Sequence, residues 1–243
     1  MKHSILTTIS ALLFLFISMS CEDADCISGE GIIETRNLNL DSFDAITLLG
    51  IDNITIIQGE EQEVKVTGYP NIINDLNTSI SNKEWQVKLK NGCYRNSKLN
   101  IEITLPQLSA ATLTGSGNIT VNDFLNQDQQ AFLINGSGNI DLGGNNGSTE
   151  LSLSIIGSGN IHISKDFEDL ELVNLNITGS GNLDAYAMKA DHYNVMISGS
   201  GNANIFAVSS LSGTITGSGD INFKGNPLVD VTITGSGNVN DSN

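Results

Sequence analysis

The phrase Gly-Ser-Gly-Asn, written once with Asp in place of Asn, occurs seven times in the second half of the chain. The first glycines stand at positions 115, 136, 157, 179, 199, 217 and 235, so the steps between them are 21, 21, 22, 20, 18 and 18 residues. A period near 20 is typical of solenoids, in which each repeat is one coil stacked on the next. The repeat therefore constrains the fold more than any other feature of the sequence.

Aliphatic residues around each phrase recur with a period of two, and most of them are β-branched. Two residues before the first glycine stand Leu113, Ile134, Ile155, Ile177, Ile197, Ile215 and Ile233. One residue after the Asn or Asp stand Ile119, Ile140, Ile161, Leu183, Ala203, Ile221 and Val239. A period of two and β-branched side chains indicate strands. We predict an all-β chain that forms a parallel β-helix (β-solenoid) with about 20 residues per coil.

We interpret the repeated Gly-Ser-Gly-Asn phrase as a structural feature of the coil. By parity both of its glycines point inward, where the absence of a side chain lets the backbone bend close to the neighbouring coils. The residue after them stacks on its equivalent in the next coil, and stacked amides hydrogen-bond along the axis. Asp220 cannot donate when it is ionised, so we expect the ladder to be weakest there. The predicted ladder comprises Asn118, Asn139, Asn160, Asn182, Asn202, Asp220 and Asn238.

Asp141, His162 and Asp184 occupy one outward position on three consecutive coils. An imidazole between two carboxylates could act as a general base or bind a cation, which makes this trio a possible surface site. The alternative is a polar outer face that includes one histidine.

We predict neither a catalytic residue nor a metal site. The run DFEDLE at 166–171 lacks the loop pattern of calcium sites and reads more simply as a solvated excursion between strands. Cys26 and Cys93 offer too few ligands for zinc, but in an exported chain they could form a disulfide. No Ser-containing strand-to-helix elbow or phosphate loop is present in the sequence.

The N-terminus predicts export. Residues 1–20 are expected to be a signal peptide, because the apolar run from Ile5 to Met19 is too short for a membrane span. Cys21 follows directly and resembles the acylated cysteine of bacterial lipoproteins, although Ser18 stands where Leu is common; ordinary cleavage is the alternative. The acidic stretch EDAD then resembles an export tag of surface lipoproteins, or is a solvated linker. We assign residues 21–41 to a lipidated N-terminus and linker.

The formal charge of −16 argues against a nucleic-acid partner, since the 27 acids outnumber the 11 bases and no Lys/Arg cluster occurs. The same charge should repel acidic polysaccharides.

The order of several segments resembles one known family. FDAITLLGIDNITIIQGEEQEVKVTGYPNII, then LNIEITLPQLSAATLTGSGNITV, then repeated GSGN, is similar to the head GIN domain family of autotransporter adhesin heads, which is common in Bacteroidota lipoproteins. The resemblance covers residues 42–240, and GIDNITI looks like a decayed GSGNITV. It implies a right-handed parallel β-helix exported to the cell envelope, and it brings no catalytic motif with it.

These observations favour a non-enzymatic envelope lipoprotein with an adhesin-like binding head. We expect a lipid anchor in the outer membrane, an unknown glycan or protein ligand, and no cofactor. The alternatives are a structural or signalling partner in a periplasmic complex and a carbohydrate-active β-helix enzyme. Whether the head faces outward or into the periplasm, and its oligomeric state, stay open.

Overall fold

The structure is a computed structural model that describes residues 26–50, 53–125, 127–168 and 170–243. The predicted signal peptide and Cys21 lie outside the described residues. Within the described part of the chain, no helix has the length and apolar character that a membrane crossing requires.

The elements before the repeats are short strands and one helix. In chain order they are β1 (Ile27–Ser28), β2 (Glu34–Leu38), β3 (Ala45–Leu49), β4 (Asn53–Gln58), β5 (Glu63–Gly68), α1 (Pro70–Asn74), β6 (Ile80–Ser81), β7 (Glu84–Val87), β8 (Tyr94–Arg95) and β9 (Leu99–Leu105).

The repeats contain strands throughout. They are β10 (Ala110–Gly115), β11 (Asn118–Val121), β12 (Phe124–Leu125), β13 (Gln129–Gly136), β14 (Asn139–Leu142), β15 (Asn145–Asn146), β16 (Glu150–Gly157), β17 (Asn160–Ile163), β18 (Phe167–Glu168), β19 (Leu172–Gly179), β20 (Asn182–Gly199), β21 (Ala203–Gly217), β22 (Ile221–Lys224), β23 (Leu228–Gly235) and β24 (Val239–Asp241).

Each repeat is one coil of a β-solenoid, and the prediction of stacked parallel coils is confirmed. The strands that precede the glycines form a first sheet, β10–β13–β16–β19, continued by the second halves of β20 and β21 and by β23. The strands that follow them form a second sheet, β11–β14–β17, continued by the first halves of β20 and β21 and by β22 and β24. A short third sheet, β12–β15–β18, lies at the next corner.

The core runs along the solenoid axis as columns of aliphatic side chains. The residues two positions before the first glycine are buried from Leu113 to Ile215. The column after the ladder position is buried from Ile119 to Ile221 in the same way. The period-two alternation in the sequence thus separates interior side chains from exterior ones on every coil before the last.

The first coils do not stack in chain order. β3 and β4 pair with β10 and β11, although the paired residues Ala45 and Ala110 are far apart in sequence. On their other side, β3 and β4 pair with β7 and β9. The chain therefore places β7 and β9 on one side of β3 and β4, and then returns to add β10 and β11 on the other side. The prediction that GIDNITI is a decayed repeat agrees with this register, in which Asn53 pairs with Asn118.

The N-terminal end of the solenoid is covered by non-repetitive elements. β5 is antiparallel to both β9 and β2, and β6 is antiparallel to β7. The helix α1 begins with Pro70, which suits the first helical position, and it buries Ile72 and Ile73. Strands β1 and β2 lie within residues 21–41, which we expected to be a linker, so the folded part begins earlier than predicted.

The two glycines of the phrase have different environments, which corrects the prediction that both point inward. The second glycine is buried in all seven coils, as at Gly159. The first glycine lies at the corner, half-buried or exposed, with φ between +114° and +146°. That range of φ favours glycine, so the first position is restricted by backbone conformation. It is also restricted by space, because a Cβ atom at Gly157 would lie 2.3 Å from the carbonyl oxygen of Gly136. The second position is restricted by space alone.

Candidate functional site

A ladder of side-chain amides follows the corner after the glycines. Asn139 Nδ2 donates to Asn118 Oδ1 at 3.1 Å, and Asn160 Nδ2 donates to Asn139 Oδ1 at 3.1 Å. Asn182 and Asn202 continue the pattern at 2.9 and 3.2 Å. The structure thus brings the predicted ladder residues into one column, in which each amide donates to the preceding coil.

Asp220 changes one step of this ladder. Its backbone N–H donates to Asn202 Oδ1 at 2.9 Å, but its carboxylate has no proton to donate. On its other side, Asp220 Oδ1 accepts from the backbone N–H and the side-chain amide of Asn238, at 2.8 and 3.1 Å. The ladder also extends one coil further than predicted, because Asn118 Nδ2 donates to Asn53 Oδ1 at 2.8 Å.

The trio Asp141, His162 and Asp184 lies on neighbouring strands of the second sheet, in one outward column. His162 Nδ1 lies 3.3 Å from Asp184 Oδ2, and both side chains are about half exposed. Among the described residues, no group of three His, Cys, Asp or Glu side chains is placed to hold a metal ion. The trio therefore amounts to an exposed His–Asp pair with a second carboxylate one coil away.

Asp166, the first residue of the acidic run 166–171, makes an ion pair with Lys189, and the preceding residue, Lys165, makes one with Asp123. Lys189 Nζ lies 3.8 Å from Asp166 Oδ2, and Lys165 Nζ lies 2.6 Å from Asp123 Oδ2. The hydrogen bond from Lys165 lowers the pKa of Asp123, and the backbone N–H of Gly144 adds to that effect. These lysines neutralise part of the local negative charge.

Cys26 and Cys93 form a disulfide in the structure. The backbone N–H of Ile27 also donates to the carbonyl of Cys93 at 2.8 Å, next to the β1–β8 pairing. The disulfide therefore ties the N-terminal segment to the cap of the solenoid.

A candidate binding surface is an open groove on the outer face of the first sheet, which we call the outer groove. It has a volume of about 860 Å³ and crosses six strands. Six strands at about 4.8 Å spacing give a length of about 24 Å. The outward side chains along it are Ala110, Thr112, Ala131, Leu133, Ser152, Ser154, Ile156, Asn174, Asn176, Asn194, Met196, Ser212 and Thr214.

The floor of the outer groove is formed by small side chains and its walls by larger apolar ones. Ser152 and Ser154 lie near its centre, beside Leu133. Ile156 is 42% exposed and Met196 is 59% exposed, so apolar surface faces solvent there. Large exposed apolar side chains that border a concavity are typical of ligand sites.

One end of the outer groove carries a hydrogen-bonded polar column. Asn174 Nδ2 donates to Glu150 Oε1 at 3.0 Å, and Asn194 Nδ2 donates to Asn174 Oδ1 at 3.1 Å. Ser212 Oγ donates to Asn194 Oδ1 at 2.6 Å. These bonds hold polar groups in fixed positions beside the apolar part of the groove, so the groove offers both apolar contact and oriented hydrogen bonding.

A comparison with protein families decides the classification. The family described as "Putative auto-transporter adhesin, head GIN domain" matches residues 42–227. The chain belongs to the head GIN domain family. No curated protein matches the sequence.

Crystal structures of proteins from Bacteroidales share the fold of this head GIN domain. A "putative adhesin" from Bacteroides fragilis NCTC 9343 has 21% identity and a TM-score of 0.78, with 88% of this chain and 99% of that chain covered. A "putative lipid binding protein" from Parabacteroides distasonis ATCC 8503 has 23% identity and a TM-score of 0.74, with 89% and 99% covered. A "putative adhesin" from Parabacteroides merdae ATCC 43184 has 23% identity and a TM-score of 0.71, with 90% and 100% covered.

The sequence reasoning found the corner ladder of this head GIN domain but missed the outer groove. The sequence signal for the outer groove lies in the outward-pointing residues of the strands that precede the glycines. Ala110, Ala131 and Ser152 are small residues at one register position of three consecutive coils. A row of small residues beside Leu133 and Met196 indicates a depression in a regular sheet.

Proposed function

We propose that the protein is a non-enzymatic envelope lipoprotein whose head GIN domain binds a ligand in the outer groove. The predicted signal peptide and Cys21 support an anchor in the outer membrane. The family description as an adhesin head supports a binding function. The alternative, a structural or signalling partner in a periplasmic complex, would use the same surface for another protein.

The outer groove is the single observation that carries this proposal. Its volume of about 860 Å³ lies within the range of small-molecule sites, and its mixture of apolar walls and a few oriented polar groups is typical of them. The sheet beneath it is continuously hydrogen-bonded through the coils. A rigid floor of this kind binds without the entropic cost of ordering a loop.

The charge of the molecule narrows the ligand class. Residues 110–243 contain 13 acids and 3 lysines, so the coil array attracts cations and repels anions. A neutral glycan or a neutral to basic protein segment therefore fits the surface better than an acidic polysaccharide does. Hydroxyl or amide groups of such a ligand would pair with Asn174, Asn194 and Ser212.

A second candidate ligand is an acyl chain, which the length and apolar lining of the outer groove favour. A straight groove of about 24 Å could hold an extended lipid tail along its floor. The related protein from Parabacteroides distasonis is described as a lipid-binding protein.

An enzymatic role is not part of the proposal. His162 and Asp184 are half exposed on the outer face of the second sheet, and neither residue lines the outer groove. General acid–base groups work in sites that shield the reacting atoms from water.

The test replaces Ser154 at the centre of the outer groove with arginine. The long side chain of Ser154→Arg fills the floor, so we expect binding to fall at least tenfold. Binding is measured for the purified protein on an array of neutral and acidic glycans, and against a fluorescent long-chain fatty acid in solution. Thr120→Arg, which adds the same side chain to the outer face of the second sheet, is the control and keeps full binding.

Protease treatment of intact cells locates the head: release of the domain indicates surface exposure, and protection indicates the periplasm. Equal binding by Ser154→Arg and the unmodified protein would refute the outer groove as the site. Failure to bind any neutral glycan or fatty acid would leave the periplasmic-partner alternative as the better account.

A further inference from the structure

The outer groove differs in chemistry between its two halves. The half formed by β10, β13 and β16 has no carboxamide among its described lining side chains, and its outward apolar members are Ala110, Ala131, Leu133 and Ile156. The half formed by β19, β20 and β21 has three carboxamides, those of Asn174, Asn176 and Asn194. We call these the apolar half and the polar half. A ligand that fills the groove therefore meets two kinds of surface along its length.

The polar half holds its groups in place and leaves part of their hydrogen-bonding capacity unused. Asn174, Asn194 and Ser212 each use one hydrogen within the row that they form. A carboxamide has two N–H hydrogens and a hydroxyl has two lone pairs, so each amide keeps a donor and the serine keeps an acceptor. The side chain of Asn176 makes no hydrogen bond with a described residue. Donors beside acceptors suit hydroxyl groups, because a hydroxyl both donates and accepts.

None of the described residues that line the outer groove is charged. The carboxylate that ends the polar row, Glu150, already accepts from Asn174 at 3.0 Å and from Gln129 at 3.1 Å. The surrounding coils carry an excess of acids, so an anionic group would be repelled from the groove. A cationic group would find no carboxylate on the groove lining with which to pair. The polar half therefore suits an uncharged head group.

The apolar half is long enough for a hydrocarbon chain. Its three strands, at about 4.8 Å spacing, give it a length of about 14 Å. Ile156 is 42% exposed there, so a bound chain removes apolar surface from water, which is favourable. A sugar without such a chain exchanges hydrogen bonds with water for hydrogen bonds with protein, and the net gain is small. The chain is therefore expected to supply most of the affinity and the head group most of the selectivity.

We propose that the ligand of the outer groove is a single uncharged amphiphile, in which a hydrocarbon chain carries a hydroxylated head group such as a sugar. The chain lies along the apolar half, over Ala131 and Leu133. The head group lies on the polar half and pairs with Asn174, Asn194 and Ser212. This inference rests on the proposed function, because it assigns a ligand class and an orientation to the same groove.

The test compares probes that share either the chain or the head group. Isothermal titration calorimetry measures their binding to the chain from residue 21 onward, with Cys21→Ser so that no attached acyl group competes for the groove. The probes are decyl maltoside, maltose, decanoate and decyltrimethylammonium, each below its critical micelle concentration. We expect decyl maltoside to bind about tenfold more tightly than each of the other three.

Two variants test the orientation of the ligand. Ala131→Glu places a charged side chain in the path of the hydrocarbon chain, and we expect the affinity for decyl maltoside to fall about tenfold. Asn194→Ala removes part of the head-group contact, and we expect a fall of about fivefold. The matched controls are Ser198→Glu and Asn135→Ala, at exposed positions of the same sheet that do not line the groove. Both controls are expected to keep full affinity, and circular dichroism verifies that each variant is folded.

The outcomes separate this inference from the proposed function. If maltose, decanoate or decyltrimethylammonium binds as tightly as decyl maltoside, and Ser154→Arg abolishes that binding, the groove is a binding site but its ligand is not an uncharged amphiphile. An equal loss of affinity in Asn135→Ala and Asn194→Ala would overturn the placement of the head group. If no probe binds, or if Ser154→Arg leaves binding unchanged, both the inference and the groove as the binding site are refuted.

Discussion

At the scale of single residues, both glycines of each phrase from Gly136 onward lie too close to the neighbouring coil for a side chain, and the second also contacts a core side chain. A Cβ atom at Gly159 would lie 2.3 Å from the carbonyl oxygen of Gly138 and 2.7 Å from Ile134 Cγ2. Neither contact can be relieved by rotating a flexible side chain, because one atom belongs to the backbone and the other to a packed core residue. The repeated glycine is therefore required by the distance between coils.

Replacement of this glycine tests that requirement. We expect Gly159→Ala to lower the free energy of unfolding by about 1–3 kcal/mol, the usual cost of overpacking an interior. Urea or guanidinium unfolding measures the change. The neighbouring Ser158 is exposed, so Ser158→Ala should change stability by less than about 0.5 kcal/mol. Equal stability of the two variants would mean that the coils separate easily.

The ladder makes a second prediction at this scale. Asp220→Asn supplies the missing side-chain donor toward Asn202 and keeps the acceptor for Asn238. We expect a gain of about 0.5–1.5 kcal/mol in the free energy of unfolding, the net contribution of one hydrogen bond. Thermal and denaturant unfolding at neutral pH measure it.

The control for Asp220→Asn is Asp191→Asn, which removes one negative charge at an exposed position outside the ladder. If both variants gain the same stability, relief of charge repulsion explains the effect and the ladder does not.

At the scale of elements, the disulfide connects a separately paired N-terminal segment to the residues between β7 and β8. β1 makes a two-residue pairing with β8, and β2 is the outer strand of the antiparallel cap. Neither strand contributes to the columns of aliphatic residues in the coils. The coils should therefore be stable without the disulfide, while the segment before β3 should not.

Removal of the disulfide by mutation tests whether the coils are stable without it. We expect the double variant Cys26→Ser, Cys93→Ser to show faster hydrogen exchange across residues 27–38 and unchanged protection in β13, β16 and β19. Hydrogen exchange followed by mass spectrometry measures both regions in one experiment. Loss of protection in the coils would contradict a separable N-terminal segment and would indicate that the disulfide stabilises the whole domain.

At the scale of the whole molecule, the two ends of the solenoid are unlike. One end carries antiparallel strands and a helix, and the other consists of parallel coils that end in β23 and β24. The charge is unequal as well, because residues 110–243 hold 3 lysines against 13 acids, whereas residues 26–109 hold 7 basic residues against 11 acids. The coils are therefore more acidic than the N-terminal elements that precede them.

Much of the coil structure was accessible from the sequence because it depends on short-range pattern. The period of the glycines determines which residues meet on neighbouring coils, and the period of two determines which face the interior. The positions of the ladder residues follow from the same two periods, that of the glycines and that of the strand alternation. A repeated local pattern leaves few alternative registers, since a slip of one residue would expose every aliphatic column.

The remaining features depend on contacts between segments that share no pattern. The placement of β7 and β9 behind β3 and β4, the antiparallel cap, and the burial of only the second glycine follow from long-range pairing and from the shape of the corner. The outer groove exists only when six coils place small and large outward side chains side by side. The sequence by itself therefore determined the coil, its interior and its ladder, because these repeat. The tertiary structure decided the order of the first coils, the two unlike ends and the groove, because each of these depends on the one particular way in which distant strands pair.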